Sequence, residues 1–221
     1  MSNKITVYIN IKDLKAQKDN HYSLYLAKKV ENSFTVIWQS KPADDDDDNT
    51  YGYQNIFDID IPSYGVNYTT QKIKKGDVTF QVSGKTIPIE VGQITKLDSM
   101  GIFSDAENST LSPESIVINN ELKGNPHEIL LDSDKNPIWI NTQSGMNIGT
   151  ATITPKYEYQ LWFGNKQETG SLIAENLPNP KIINMEAGQK TIVTYYQGKW
   201  IDGEPPKSVI DETNRYILDR I

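Results

Sequence analysis

Cysteine is absent from this chain of 221 residues, which excludes disulfide staples and thiolate metal sites. Histidine occurs only at His21 and His127, too sparse for a zinc set of ring nitrogens. The G-x-S-x-G elbow, the H-E-x-x-H pair and the G-x-G-x-x-G turn are all missing, so no common catalytic or dinucleotide motif is present. SGKT at Ser83 to Thr86 resembles a phosphate loop only in part, because the upstream glycine would fall at Thr79. No run approaches the roughly 18 apolar residues needed to span a bilayer, and MSNKITVYIN lacks the apolar stretch of a leader. The chain as given is expected to be soluble, cytoplasmic or exported without a visible signal, and its cellular address is unknown.

Positive charge is also in short supply. There are 22 Lys plus Arg against 29 Asp plus Glu, and the imbalance holds in both halves, with 12 basic and 14 acidic side chains in residues 1–106. Neither half offers the positive field that nucleic acid or an anionic membrane surface attracts, so nucleic acid is not expected as a partner.

What the chain does have is alternation. KITVYI places Ile5, Val7 and Ile9 on one side, YSLYL groups Tyr22, Leu24 and Leu26, and YEYQLWF groups Tyr157, Tyr159, Leu161 and Phe163. Period-two burial of this kind marks antiparallel strands with one dry face. Turn residues separate the runs, among them Ser83-Gly84, Asn125-Pro126 and Gln197-Gly198. A dozen short strands at this spacing predict an all-β fold of antiparallel β-sandwich architecture. Pro88 interrupts a strand and belongs at a sheet edge or bulge, since it donates no ladder hydrogen bond.

One pattern occurs twice. EVGQITKLDSMGIFSD, from Glu90 to Asp105, returns as EAGQKTIVTYYQGKWID, from Glu186 to Asp202. Gly92 matches Gly188, Gln93 matches Gln189, Gly101 matches Gly198 and Phe103 matches Trp200, giving a turn, a strand, a second turn and an aromatic plug. The repeat predicts two tandem sandwich domains, residues 1–106 and 116–203, joined by the polar linker 107–115. A short amphipathic C-terminal helix is expected over 208–221.

Function is less legible. Trp162 alternates away from Leu161 and Phe163 and shares its face with Glu158 and Gln160, while Tyr51 and Tyr53 follow the acidic run Asp44–Asp48. Rings beside carboxylates and amides suit carbohydrate, the ring covering an apolar sugar face and the polar groups taking hydroxyls. Asp132, Asp134 and Asn136 have the D-x-D-x-N spacing that opens calcium loops, although Pro137 and Gln143 stand where that loop needs Gly and Glu. Ca²⁺ is therefore the one candidate cofactor, with an ordinary Asx-turn as the simpler reading. These features predict a non-enzymatic recognition protein, lectin-like or protein-binding, acting through a sandwich surface. Two alternatives stand beside it. One is a toxin-like or self-assembling β protein built on a hairpin over 67–82. The other is a hydrolase using a carboxylate acid/base pair. Association into a homo-oligomer is compatible with all three.

Overall fold

The computed structural model describes residues 3–44, 47–74, 76–173 and 177–218. In chain order its strands are β1 (Lys4–Ile9), β2 (Ser23–Val30), β3 (Gln39–Lys41), β4 (Gln54–Asp58), β5 (Tyr64–Thr69), β6 (Ser83–Ile89), β7 (Gln93–Leu97) and β8 (Glu107–Asn108). They continue as β9 (Ile116–Asn120), β10 (His127–Leu131), β11 (Pro137–Ile140), β12 (Gly149–Ile153), β13 (Pro155–Gly164), β14 (Lys181–Asn184), β15 (Lys190–Tyr196) and β16 (Lys199–Asp202). Helix α1 (Ile11–Asp19) follows β1, and helix α2 (Lys207–Leu218) follows β16. The protein is mostly β, as the alternation requires. The expected C-terminal helix is present, and its predicted last residues, 219–221, lie outside those described.

Four four-stranded sheets form, and antiparallel pairs dominate: β16-β15-β1-β4, β14-β13-β2-β3, β12-β9-β7-β8 and β11-β10-β5-β6. The first two share rings, Phe163 of β13 lying 4.9 Å from Tyr195 of β15 and 5.7 Å from Trp200 of β16. The last two share Tyr68 of β5, which meets Phe103 edge-on at 5.9 Å. Two sandwiches result, one from β1–β4 with β13–β16 and the other from β5–β12. Pro88 pairs with Gly65 on β6, an edge strand.

The division at 107–115 expected from composition does not coincide with a division between sheets. Every sheet takes two strands from the chain before it and two from the chain at or beyond it, apart from short β8, which falls inside it. The pairing scheme nevertheless occurs twice, strand for strand. β1 pairs with β15 in parallel and with β4 antiparallel, as β9 pairs with β7 and β12. β2 lies between β13 and β3, as β10 lies between β5 and β11. Thus β1–β8 and β9–β16 repeat one eight-strand scheme, and each copy completes its first four strands with the last four of the other. The doubled hairpin obeys this equivalence. The Glu90 amide donates to the Gln93 side chain at 2.8 Å and the Glu186 amide to that of Gln189 at 2.7 Å. Gly92 and Gly188 both sit at positive φ in those turns, where a side chain would be strained.

The sandwiches are also cemented to each other. Trp38 donates its indole N–H to Asp132 at 2.9 Å, Trp139 donates to Ser33 at 3.0 Å, and the Thr35 hydroxyl donates to the Ile140 carbonyl at 3.0 Å. Val36, Leu172, Ile129, Leu131 and Ile140 bury an apolar cluster between them. Helix α1 carries no buried residue and was not legible as a period; Asn10 caps it by accepting from the Lys12 amide at 2.9 Å. Helix α2 docks on it, Asn10 and Lys12 both reaching Glu212. Residues 70–82 hold no strand among those described.

Candidate functional site

Where the chain crosses between the sandwiches it leaves a cleft of about 450 Å³. The crossover from β4 to β5 contributes Asp60 and Pro62, β5 contributes Tyr64, β13 contributes Tyr157 and Tyr159, and Lys28 of β2 closes the inner wall. Alternation accounts for Lys28. It continues the inward series Leu24 and Leu26, so the strand carries a lysine into the interior, where it is only 2% exposed.

Its ammonium is held by oxygens and rings. Nζ donates to the Lys156 carbonyl at 2.7 Å and the Tyr159 hydroxyl at 3.2 Å, and it lies 4.7 Å and 5.3 Å from the ring centres of Tyr159 and Tyr157. The β2–β13 register slips between Pro155 and Tyr159, and this irregularity brings the Lys156 carbonyl and the Tyr157 ring over the amine. No carboxylate among the described residues forms an ion pair with it. Burial without a counter-charge lowers the Lys28 pKa from 10.5 to about 8. The same burial pushes the Tyr64 phenol up, Tyr157 adding to it, and the Tyr159 phenol up, with Tyr64, Tyr157 and Asp60 adding to it.

Two further features are typical of a binding cleft. The Asn3 side-chain oxygen is buried there with no partner, while the Asn3 amide donates to Asp60 at 2.7 Å. Tyr157 remains 49% exposed, leaving ring surface for a ligand. Clefts at domain junctions that combine apolar walls with a few polar groups are the usual places for ligands.

No family model, no curated protein and no solved structure matches this chain. The functional reading therefore rests on the chain's own residues.

The residues singled out from sequence lie elsewhere. Trp162 is 1% exposed, packed with Tyr25, Ala27 and Ile37 beneath the segments that hold Phe34 and Ile173. Its face of β13 is dry because those segments fold back over it; Tyr25 anchors one by donating to the Asn165 carbonyl at 2.8 Å and accepting from the Gln167 amide at 2.6 Å. Tyr51 is fully buried, its hydroxyl donating to the Tyr22 carbonyl at 2.7 Å. Neither ring is open to a sugar, which corrects the stacking role expected of them. Glu158 is committed to Lys29 at 2.9 Å, Gln160 pairs with Ala27 and Ile182 in the sheet, and Tyr53 packs edge-on against Tyr8 at 5.5 Å. These five are not brought together.

At the expected calcium loop the structure shows a hydrogen-bonded turn. The Asp132 carboxylate accepts from the Trp38 indole, from the backbone amides of Asp134 and Asn136, and from the Asn136 side chain. Four N–H donors occupy the two Asp132 oxygens, the pattern of an Asx-turn. Among the described residues no three acidic or histidine side chains form a metal-holding group. Of the acidic run, Asp45 and Asp46 lie outside the described residues, and Asp44 meets Lys166 at 3.4 Å on the surface.

Two signals of the junction cleft were present in the sequence: a lysine at an inward position of β2, and Tyr157 and Tyr159 on the inward face of β13. Their meeting with Asn3, Asp60 and Tyr64 required the crossover, which no local pattern announces.

Proposed function

We propose that the protein is a non-enzymatic recognition protein that binds carbohydrate in the junction cleft. The carrying observation is a buried ammonium without a counter-charge, beside an unpartnered amide oxygen, in a cleft walled by Tyr64, Tyr157 and Tyr159. A sugar supplies what these groups lack. Its hydroxyls accept from the remaining Lys28 N–H and donate to Asn3 and Asp60, and its apolar face covers Tyr157. The pre-formed walls limit the ordering cost that weakens most sugar complexes.

A glycan array followed by calorimetry on the best sugar tests this reading. Binding that falls at least tenfold in both Lys28→Met and Tyr157→Ala, with the fold retained, supports it. An empty array, or a sugar indifferent to both substitutions, overturns it.

A further inference from the structure

The equivalence of the two sandwiches exposes a second site. In the sandwich of β5–β12, Tyr68 fills the space beneath the doubled hairpin, its hydroxyl donating to the Gly101 carbonyl at 3.1 Å and leaving no room for a side chain at that glycine. Phe163 is the counterpart of Tyr68, because Tyr68 of β5 packs on Phe103 as Phe163 of the equivalent strand β13 packs on Trp200. The hairpin counterparts of Gly101 and Phe103 are Gly198 and Trp200. Phe163 has no hydroxyl, and a side chain added at Gly198 would meet nothing within 4 Å.

The space left is a pocket of about 110 Å³ lined by Tyr22, Phe163, Tyr195, Trp200, Gln17 and Asn179. Rings dominate it, and none of these side chains carries a charge at neutral pH. Gln17 comes from α1, which the other sandwich lacks, since only a short connection over 121–126 joins β9 to β10. The Gln17 side-chain oxygen is buried without a hydrogen-bond partner.

We propose that this pocket binds an acetamido group, its methyl between the rings and its N–H donated to the Gln17 oxygen. The pocket is of the size that takes a small substituent. A buried acceptor left unpaired is costly, so the occupant must bring a donor. Among the described residues lining the pocket, a carboxylate would find no cation and an ammonium no anion. The proposal goes beyond the junction cleft and does not depend on it.

Trp200 is the half-exposed tryptophan, while Trp38, Trp139 and Trp162 are buried, so intrinsic fluorescence reports on this pocket. Titrations with N-acetylglucosamine, glucose, Nε-acetyl-lysine amide and lysine amide form the test. A saturable response to either acetylated compound, absent with its non-acetylated partner, is expected, and the tighter of the two identifies sugar or modified peptide as the source. Phe163→Tyr restores the hydroxyl that closes the other sandwich and should weaken binding at least tenfold without altering the melt. Gln17→Leu should do the same. Equal responses to glucose and N-acetylglucosamine, no response to any compound, or binding that survives Phe163→Tyr would overturn the proposal.

Discussion

Replacing Lys28 by methionine should stabilise the protein at pH 7 and destabilise it at pH 9.5. The lysine pKa falls from 10.5 in the open chain to about 8 in the fold. That difference corresponds to roughly 3 kcal/mol of penalty for carrying the charge inside. The sign follows from proton counts. Below about pH 8 both folded and unfolded states hold the proton and the penalty is fully present. Between about pH 8 and 10.5 the folded state releases its proton while the unfolded state keeps it, so stability rises with pH. Methionine removes the charge but forfeits the bonds to the Lys156 carbonyl and the Tyr159 hydroxyl, about 1 kcal/mol each. The variant should therefore be more stable by about 1 kcal/mol at pH 7. By pH 9.5 the native protein recovers about 2 kcal/mol, which inverts the order. Urea unfolding of both proteins at the two pH values measures this, and the rising phenols of Tyr64 and Tyr159 cancel in the comparison. A difference that does not change with pH would refute the reasoning, because it would mean the amine titrates normally.

Other outcomes can be stated more briefly. Asp132→Ala strands four N–H donors, one of them the indole of Trp38 from the other sandwich, and should cost roughly 2–4 kcal/mol; the wild-type melting temperature should be the same in Ca²⁺ and in chelator, and a calcium-dependent rise that Asp132→Ala removes would restore the cation reading. Trp162→Ala should cost about 3–5 kcal/mol, a core truncation and not a ligand effect, as a thermal melt without any sugar would show. A protease site inserted between Leu111 and Ser112, cut in the folded protein, should leave both fragments eluting together near 25.0 kDa and melting in one transition, and separate folded fragments would contradict the exchange of strands between copies.

The local half of this fold was open to reading. Alternation in KITVYI, SLYLAKKV and YEYQLWF marks β1, β2 and β13, Pro88 marks an edge, and the paired Glu-x-Gly-Gln turns mark equivalent hairpins. The partner of each strand was not. Period two says which side chains share a face, and it says nothing about whether β1 will lie beside β15 or beside the nearer β7, since both carry the same turn and the same apolar spacing. Trp162 shows the second limit. Alternation sets it opposite Leu161 and Phe163, but whether that face meets water depends on segments holding Phe34, Ile37 and Ile173, far off in sequence. β2 states the matter locally, because its residues from Ser23 to Lys28 are all buried, so both faces of this sheet are covered. Helix α1 escaped for the opposite reason. It buries no residue and is held by its cap and by contacts to α2, neither of which produces a period.

The exchange of strands bears directly on the junction cleft. A chain whose copies closed on themselves would need no crossover at 59–63 or at 154, and those two short passages are the covalent links between the sandwiches. Asp60 and Pro62 lie on the first, Tyr157 follows the second, and Lys28 stands between them. A ligand seated there would touch the first link together with Lys28, Tyr157 and Tyr159 of one sandwich and Tyr64 of the other, so it would bind the assembled pair. Binding only to that state raises its stability by RT ln(1 + [L]/Kd), about 2.7 kcal/mol at a hundredfold excess over Kd. Such a ligand should therefore slow the opening of the junction, including exchange of the Trp38 indole proton held by Asp132, more than it slows the fraying of distant edges such as β6. If the cleft binds as proposed, the same strand exchange that hides it from sequence would make its occupancy and the integrity of the junction one equilibrium.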